Sequence, residues 1–483
     1  MDFISLSVSV HWLLVIGIGI RVIMKRPEAG VALAWMLLVA VVPYGGALVY
    51  LLIGERRIDP RREREIKALQ QDYRRLFDTA REQGITDVDW LSHSPAAKQL
   101  DTLGGNLVGS HAVGGSAFQL KSDTAEVLAT LASEIDAAKT SVLMEFYIWA
   151  EGGAADTVLE ALIMAAGRGV SCRVLVDAIG ARPWWKGDQP ARLRAAGVEV
   201  RPALPVGLFR SFVGRTDLRL HRKIVVIDGE IAWTGSMNLV DPRFFKADAG
   251  VGEWVDAMVR VEGPIVGPLA AIAIGDWRLE TNEPIADLVK SAGLRLNPAR
   301  GTTDMQAIPS GPGQSVDGLL QMMLALIAAA REELVVTTPY LVPDASLLRA
   351  LRGAAGRGVA VSIIVPERVD SILTRYASRS YFEDLLDAGV AIHLYRDGLL
   401  HTKSIVADSK MAMFGTANID MRSIWLNYED VLFVYDPAFS TELRALQATY
   451  IEASDPLLPG DWADRATTER FTENAARLIS PLL

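Results

Sequence analysis

A chain of 483 residues, 50% of them hydrophobic, is long enough for two or three domains, each with its own core. A formal net charge of −9 argues against a broad nucleic-acid-binding surface, and a mean hydropathy of +0.22 is high for a wholly soluble protein. The single cysteine, Cys172, excludes an intrachain disulfide and a thiolate metal site, and suits a reducing compartment.

The apolar excess is concentrated at the start. Phe3 to Met24 carries only His11 and Arg21 as strongly polar side chains, and Ala29 to Ile53 carries no charge. Each stretch would extend roughly 33 Å or more as a helix, against a hydrocarbon layer of about 30 Å. A cleaved signal peptide is the competing reading of the first stretch. It lacks a basic leader, however, and a second apolar stretch follows after only Lys25-Arg26-Pro27-Glu28. Residues 1–54 are therefore expected to form two transmembrane helices, with Pro43 and Gly45-Gly46 kinking the second. Arg56, Arg57, Arg61, Arg62, Arg64 and Lys67 follow directly and outnumber Lys25 and Arg26 in the hairpin loop, which predicts a cytoplasmic body. Residues 55–94 read as a basic linker helix at the membrane surface.

Beyond this point the chain repeats itself. SVLMEFYIW, AAGRGVSCRVLVD and LRAAGVEVR are answered by ELVVTTPYLV, AAGRGVAVSIIVP and LLDAGVAIHLY. Short β-branched runs alternate with Ala/Leu-rich stretches that end in Gly167 or Gly356, the pattern of an α/β fold. Two duplicated domains are predicted, 95–295 and 296–483. The Gly/Pro-rich stretch LNPARGTTDMQAIPSGPGQ (296–314) marks the boundary between them.

Each half carries one polar motif. His221, Lys223, Asp228, Gly235 and Asn238 recur with the same mutual spacing as His401, Lys403, Asp408, Gly415 and Asn418. A lone histidine is usually a satisfied core residue. A single His-x-Lys-x4-Asp match has a chance probability on the order of one per cent, so two with a shared Gly and Asn are not accidental. IVVID and SIVAD read as strands, which would put His and Lys on one face. Asp228-Gly229 reads as a hairpin turn that returns Ser236 and Asn238, or Thr416 and Asn418 in the second copy, toward that face. Asp256 and Glu429 precede Pro264 and Pro437 by the same distance, where a carboxylate could fix a histidine tautomer; the alternative is a surface strand-end acid. Asp228 and Asp408 are candidate site residues that more naturally brace the turn.

The paired HRKIVVID/HTKSIVAD motifs with GSMN/GTAN resemble the phospholipase D superfamily. With EFYIW, GSMNLVDPRFF, TTPYLVPD, NIDMRSIWLNYE and the apolar N-terminus, the resemblance extends over essentially the whole chain to bacterial cardiolipin synthases. It implies two α/β sandwich domains about a pseudo-twofold axis, each giving one His-Lys pair to a single site. It also implies His221 as nucleophile, His401 as acid/base, and phosphatidylglycerol and other anionic phospholipids as partners at the bacterial inner membrane. Lys223, Lys403, Asn238 and Asn418 would hold oxyanion charge, with no metal or other cofactor and no nucleic acid partner. Transfer to water, or a membrane-anchored nuclease, are the alternatives that the shared motif leaves open; oligomeric state is open as well.

A last feature is asymmetric. The link from Gly197 to His221 is longer than that from Gly389 to His401, and its Leu208, Phe209 and Phe212 alternate with Arg210, Arg215 and Arg219. Such a segment suits an anionic headgroup layer, although it would equally cover the domain core.

Overall fold

A computed structural model describes residues 3–27, 29–54, 59–82, 87–205, 215, 217–315 and 317–478. The chain divides into two compact units, residues 1–63 with 206–217, and residues 64–205 with 218–483. Leu208, Phe209, Arg210 and Phe212 lie outside the described residues, as do Arg56 and Arg57.

In the first unit the apolar stretches are helical. Phe3–Lys25 runs for 23 residues, and its portion Ser5–Lys25 is long and apolar enough to cross a bilayer. The second stretch is divided more sharply than a kink: Ala29–Val41 stops at Pro43, and Gly45–Ile53 resumes after it. Pro43 cannot donate to a carbonyl one turn back, and Tyr44 takes φ 56°. Thirteen residues of helix rise only about 20 Å, short of a full crossing without the segment beyond the break. Ile18, Val22, Val39, Ala47 and Tyr50 pack together, and His11 Nε2 meets the Ala40 carbonyl at 3.2 Å.

In the second unit one mixed sheet runs through both halves. Its strands are β1 (Val113–Lys121), β2 (Ser141–Phe146), β3 (Ser171–Asp177), β4 (Glu199–Ala203), β5 (Ile224–Ile227), β6 (Ile231–Gly235) and β7 (Met258–Glu262) in the first half. The second half supplies β8 (Thr303–Ser310), β9 (Glu333–Thr337), β10 (Ala360–Pro366), β11 (Ala391–Tyr395), β12 (Ser404–Ala407), β13 (Met411–Gly415), β14 (Asn427–Val434) and β15 (Ser454–Pro456). The order is β15-β11-β10-β9-β12-β13-β14-β8-β1-β7-β6-β5-β2-β3-β4. Apart from the edge strand β15, this order reads the same in both directions about the antiparallel pair β8/β1, which is a pseudo-twofold.

Alternation along the strands shows why both faces must be covered. Ile224 and Val226 enter a central core with the helix Val266–Thr281, while Val225 and Ile227 face the helices Thr124–Ala137 and Ala155–Gly167. The second copy repeats this, with Val406 in the central core and Ile405 and Ala407 in an outer one. Helix starts are capped where the sequence offers an acid: Asp123 accepts from Glu126 N and Asp344 from Leu347 N.

Within the Gly/Pro-rich boundary stretch, residues 303–310 form the strand that joins the two halves. Pro309 hid it, because proline is excluded from the middle of a sheet. Here β1 pairs with β8 only at Thr303 and Met305, so Pro309 lies beyond that pairing and faces only Asp430 of β14.

The hairpin turns form as expected. Asp228 and Gly229 take φ 54° and 65°, and Asp408 and Ser409 take 55° and 51°, both left-handed at the two central positions. The aspartates do not reach the histidines. Asp228 accepts from the backbone N–H groups of Lys139, Thr140 and Ser141, and Asp408 from those of Arg331, Glu332 and Glu333. Each ties the start of a central parallel strand to the turn. Burial alone would raise the Asp228 pKa, but the hydrogen bonds from Ser141, Lys139 and Thr140 hold it below the ordinary value. Asp228→Ala should therefore lower stability by about 1–3 kcal/mol, as donors lose their acceptor, while the folded fraction keeps its histidine environment. Chemical denaturation with histidine NMR checks this; a loss of the histidine signals' native positions without a loss of stability would contradict it.

Candidate active site

The motif residues lie just before the strands rather than on them. Arg219–Leu220 and Leu399–Leu400 are two-residue strands, and His-x-Lys follows each as an extended link into β5 or β12. Each short strand pairs with the opposite half. Arg219 is in register with Asn427 and Leu220 with Tyr428; Leu399 is in register with Trp254 and Leu400 with Val255. The backbone then continues the exchange, His221 N donating to Tyr428 O at 2.9 Å and His401 N to Val255 O at 2.8 Å.

This pairing decides where the carboxylates go. His221 Nδ1 lies 2.7 Å from Glu429 Oε2, and His401 Nδ1 lies 2.7 Å from Asp256 Oδ1. Each acid serves the histidine of the other half. Both are buried, so the surface-acid alternative does not apply. Thr416 Oγ1 donates to Glu429 at 2.6 Å, with Asn427 Nδ2 on the other oxygen; Ser236 Oγ donates to Asp256 at 2.6 Å. A carboxylate on Nδ1 keeps the proton there and leaves Nε2 with its lone pair exposed for chemistry.

Gly235 and Gly415 make this approach feasible. A Cβ on Gly235 would meet Ala257 O at 2.4 Å, and one on Gly415 would meet Asp430 O at the same distance. Bare backbone at these points lets the following Ser236 and Thr416 reach the acids.

His221, His401, Asn238 and Asn418 line one cavity of about 270 Å³, with Tyr147, Tyr340, Trp254, Arg219, Lys246, Asp370, Asp420 and Arg422 also in its wall. Lys223 and Lys403 lie buried behind the histidines, each donating to the carbonyl of the histidine two residues earlier. Asn238 Oδ1 accepts from Ile148 N, and Asn418 Nδ2 donates to Asp420. His221 packs edge-on against Tyr147, and His401 packs at a tilt against Trp254.

Burial sets the charge state. Desolvation brings both histidines down to about 4, against the opposing pull of Glu429 and Asp256, so both rings are neutral in the empty cavity. Desolvation also brings Lys223 down to about 8 and Lys403 to about 7. For Asp256, burial acts upward, but His401 and Lys403 outweigh it and hold the acid at about 2. Glu429 is likewise held below its ordinary value by His221 and Lys223.

Several residues in this network give weak signals in sequence. Tyr147 and Tyr340 follow equivalent strands in the two halves, and that repetition could have flagged them. Arg222, between His221 and Lys223, points away from the cavity: its Nε donates to Glu429 O, Nη2 to Ser310 O, and Nη1 pairs with Asp276. Beside it burial drives Glu145 well above the ordinary range and Asp430 up to about 7. Nothing in the local sequence marks these acids as buried. Among the described residues, no three His, Cys, Asp or Glu side chains converge as a metal-ligand set.

Residues 131–249 and 323–448 match the family described as "Cardiolipin synthase, PLD-like domain", and residues 12–55 match the phospholipase D–nuclease N-terminal family. The chain is 42% identical to cardiolipin synthase A of Yersinia pseudotuberculosis serotype O:1b (strain IP 31758), over 99% of this chain and 98% of that one. Cardiolipin synthase A of Yersinia pestis bv. Antiqua (strain Angola) gives the same figures. The crystal structure of phosphatidylserine synthase from Haemophilus influenzae Rd KW20 superposes with TM-score 0.60, covering 80% of this chain and 99% of that chain at 15% identity, which shows a shared fold.

Histidine ¹⁵N NMR reads the charge state directly. His221 and His401 should both appear as neutral Nδ1–H tautomers at pH 7 and protonate only as the pH falls toward about 4. Glu429→Gln should release the tautomer of His221 and not that of His401. A midpoint above pH 6 for both rings, in ligand-free protein, would contradict the desolvated pair.

Proposed function

Because this chain belongs to the cardiolipin synthase family of phospholipase-D-like proteins, we propose that it transfers a phosphatidyl group between two phosphatidylglycerols, giving cardiolipin and glycerol. The observation that carries the mechanism is the pair of histidines in one cavity, each with Nδ1 committed to a buried carboxylate from the other half.

The two rings divide the work. Nε2 of His221 attacks phosphorus, and the bond from phosphorus to the glycerol oxygen breaks. His401 gives its proton to that oxygen, so that glycerol leaves and a phosphohistidine remains. The glycerol hydroxyl of the second phosphatidylglycerol then returns a proton to His401 and attacks phosphorus. The P–N bond breaks, which restores His221. Glu429 and Asp256 stabilise the imidazolium character that develops on each ring. Lys223 and Lys403, buried behind the rings, and Asn238 and Asn418, in the cavity wall, stabilise the charge on the phosphate oxygens. Both histidines are neutral before substrate arrives; the negative phosphate raises His401, which takes up its proton with the lipid.

The apolar N-terminus supports a membrane setting. We read Phe3–Lys25 and the divided segment Ala29–Ile53 as two crossings, with the basic residues after them holding the catalytic body on the cytoplasmic side of the bacterial inner membrane.

Purified protein with phosphatidylglycerol vesicles should yield cardiolipin and glycerol. Phosphatidic acid as the sole lipid product would replace transferase with hydrolase. His221→Ala and His401→Ala should each lower turnover by several orders of magnitude, and Glu429→Gln by on the order of 10²–10⁴-fold. Acid quench should trap the phosphatidyl group on His221; stable label on His401 would reverse the two roles. Turnover should persist in a chelator, because nucleophile and charge-neutralising groups are all side chains.

The pH dependence follows from the same burial. kcat/KM should fall as pH drops below about 4, where His221 gains a proton, and decline as pH rises above about 4, since His401 must take its proton from solution with the lipid. The decline should steepen above about 7, where Lys403 and then Lys223 lose theirs. A profile flat from pH 6 to 9 would contradict both the proton uptake by His401 and the loss of charge on the lysines.

A further inference from the structure

Joining two phosphatidylglycerols brings two phosphodiesters into one pocket. One reacts; the other travels on the acceptor with its bonds unchanged. The reacting phosphate is matched by two pseudo-symmetric sets, Lys223 with Asn238 and Lys403 with Asn418. A second, unreacting phosphate requires cationic groups that break that symmetry.

The cavity wall breaks it on one side. Arg219 precedes His221 by the same interval as Leu399 precedes His401, and Arg422 stands after Asn418 where Pro242 stands after Asn238. One side of the cavity thus presents two guanidinium groups, one from each repeat, where the corresponding positions on the other side are an aliphatic chain and a proline. The fold places the two arginines together. Arg219 is paired in register with Asn427, and Arg422 lies on the short helix Met421–Trp425 that leads into that strand. Both are half-buried, and both act on the Tyr147 hydroxyl, whose ring lies edge-on to His221. Arg219 Nη1 donates to Leu218 O at 2.6 Å. Burial raises the acids nearest the two arginines, and the arginines draw them down in turn, Arg219 acting on Asp177 and Arg422 on Asp420. Asp177 accepts from the backbone N–H of Ile179, Gly180 and Leu220, and Asp420 accepts from Ser423 N and Asn418 Nδ2. The remaining cation in the wall, Lys246, is held 2.9 Å from Asp370 Oδ2, and Asp370 also accepts from Tyr340.

We propose that Arg219 and Arg422 form the subsite for the unreacting phosphodiester of the acceptor lipid, beside Tyr147 and His221. This rests on the phosphatidyl-transfer reading. Paired guanidinium groups suit a phosphodiester monoanion, offering planar double hydrogen bonds that an ammonium cannot reproduce. The subsite makes the enzyme select an alcohol that carries its own phosphate over water or free glycerol.

Two acceptors separate the subsite from the reacting centre. Cardiolipin formation uses a phosphate-bearing alcohol. Incorporation of labelled glycerol into phosphatidylglycerol uses the same phosphohistidine with a neutral one, and needs no second phosphate site. In full-length Arg219→Ala and Arg422→Ala, cardiolipin formation should fall at least about tenfold with a raised KM, while glycerol exchange stays within about threefold of wild type. Arg219→Lys and Arg422→Lys guard against loss of folding, and should show the same direction of split, less steeply. Equal loss of both reactions in the alanine and lysine variants alike, or no loss of either, would overturn the assignment. Failure of the wild type to make cardiolipin or exchange glycerol would instead remove the transferase reading itself.

Discussion

The crossed hydrogen bond between each motif histidine and the other half's carboxylate is the constraint around which the rest of the site is arranged. His221 and Glu429, like His401 and Asp256, come from different repeats, so neither repeat contains a working ring on its own. The two short parallel pairings, Arg219–Leu220 on Asn427–Tyr428 and Leu399–Leu400 on Trp254–Val255, set the register of this exchange. A slip of one residue would turn the acid to the opposite face of its strand. The continuous sheet, closed at β8/β1, is what holds those pairings still.

The same logic explains the residue between histidine and lysine. Arg222 points behind the catalytic layer and ties the first motif to Glu429 O and Ser310 O of the second half. Thr402, its counterpart, makes the equivalent tie more modestly, through Val255 O and the Tyr450 hydroxyl. A buried guanidinium needs a buried anion, which Asp276 supplies. Glu145 nearby is driven well above the ordinary carboxylate range, first by desolvation and then by the charge of Asp276. Each motif is thus fastened on two sides, to the cavity by its odd residues and to the partner repeat by the middle one.

Much of this was legible in sequence because duplication prints each functional residue twice. The α/β alternation, the hairpin turns at Asp228 and Asp408, and Asp256 and Glu429 as a matched pair could all be read by laying one half over the other. What comparison of halves cannot reveal is which half a contact reaches. The crossing depends on pairings between residues some two hundred positions apart, with no local signature. Asp228 and Asp408 show the converse: their matched distance from the histidine reflects the length of the strand between site and turn, the bracing role that the sequence suggested. The strand at 303–310 was hidden by Pro309, tolerable only because the neighbouring strand ends its pairing early. Arg422 was obscured for the opposite reason, since it has no copy to draw attention to it, and Arg219 stood out only as one arginine of the asymmetric link.

The exchange of carboxylates also orders events in time. Synthesis proceeds from the N-terminus, and the apolar segments emerge long before the last strands of the sheet. Once residue 238 has left the ribosome, the chain already holds one full His-Lys-Asn set, yet the acid that orients its ring is at position 429. Domains can fold as they emerge, but this site closes only on contacts of very high sequence separation. On the proposed mechanism, a nascent or truncated chain lacks the carboxylate that orients His221, and the centre assembles only after residue 429 has emerged.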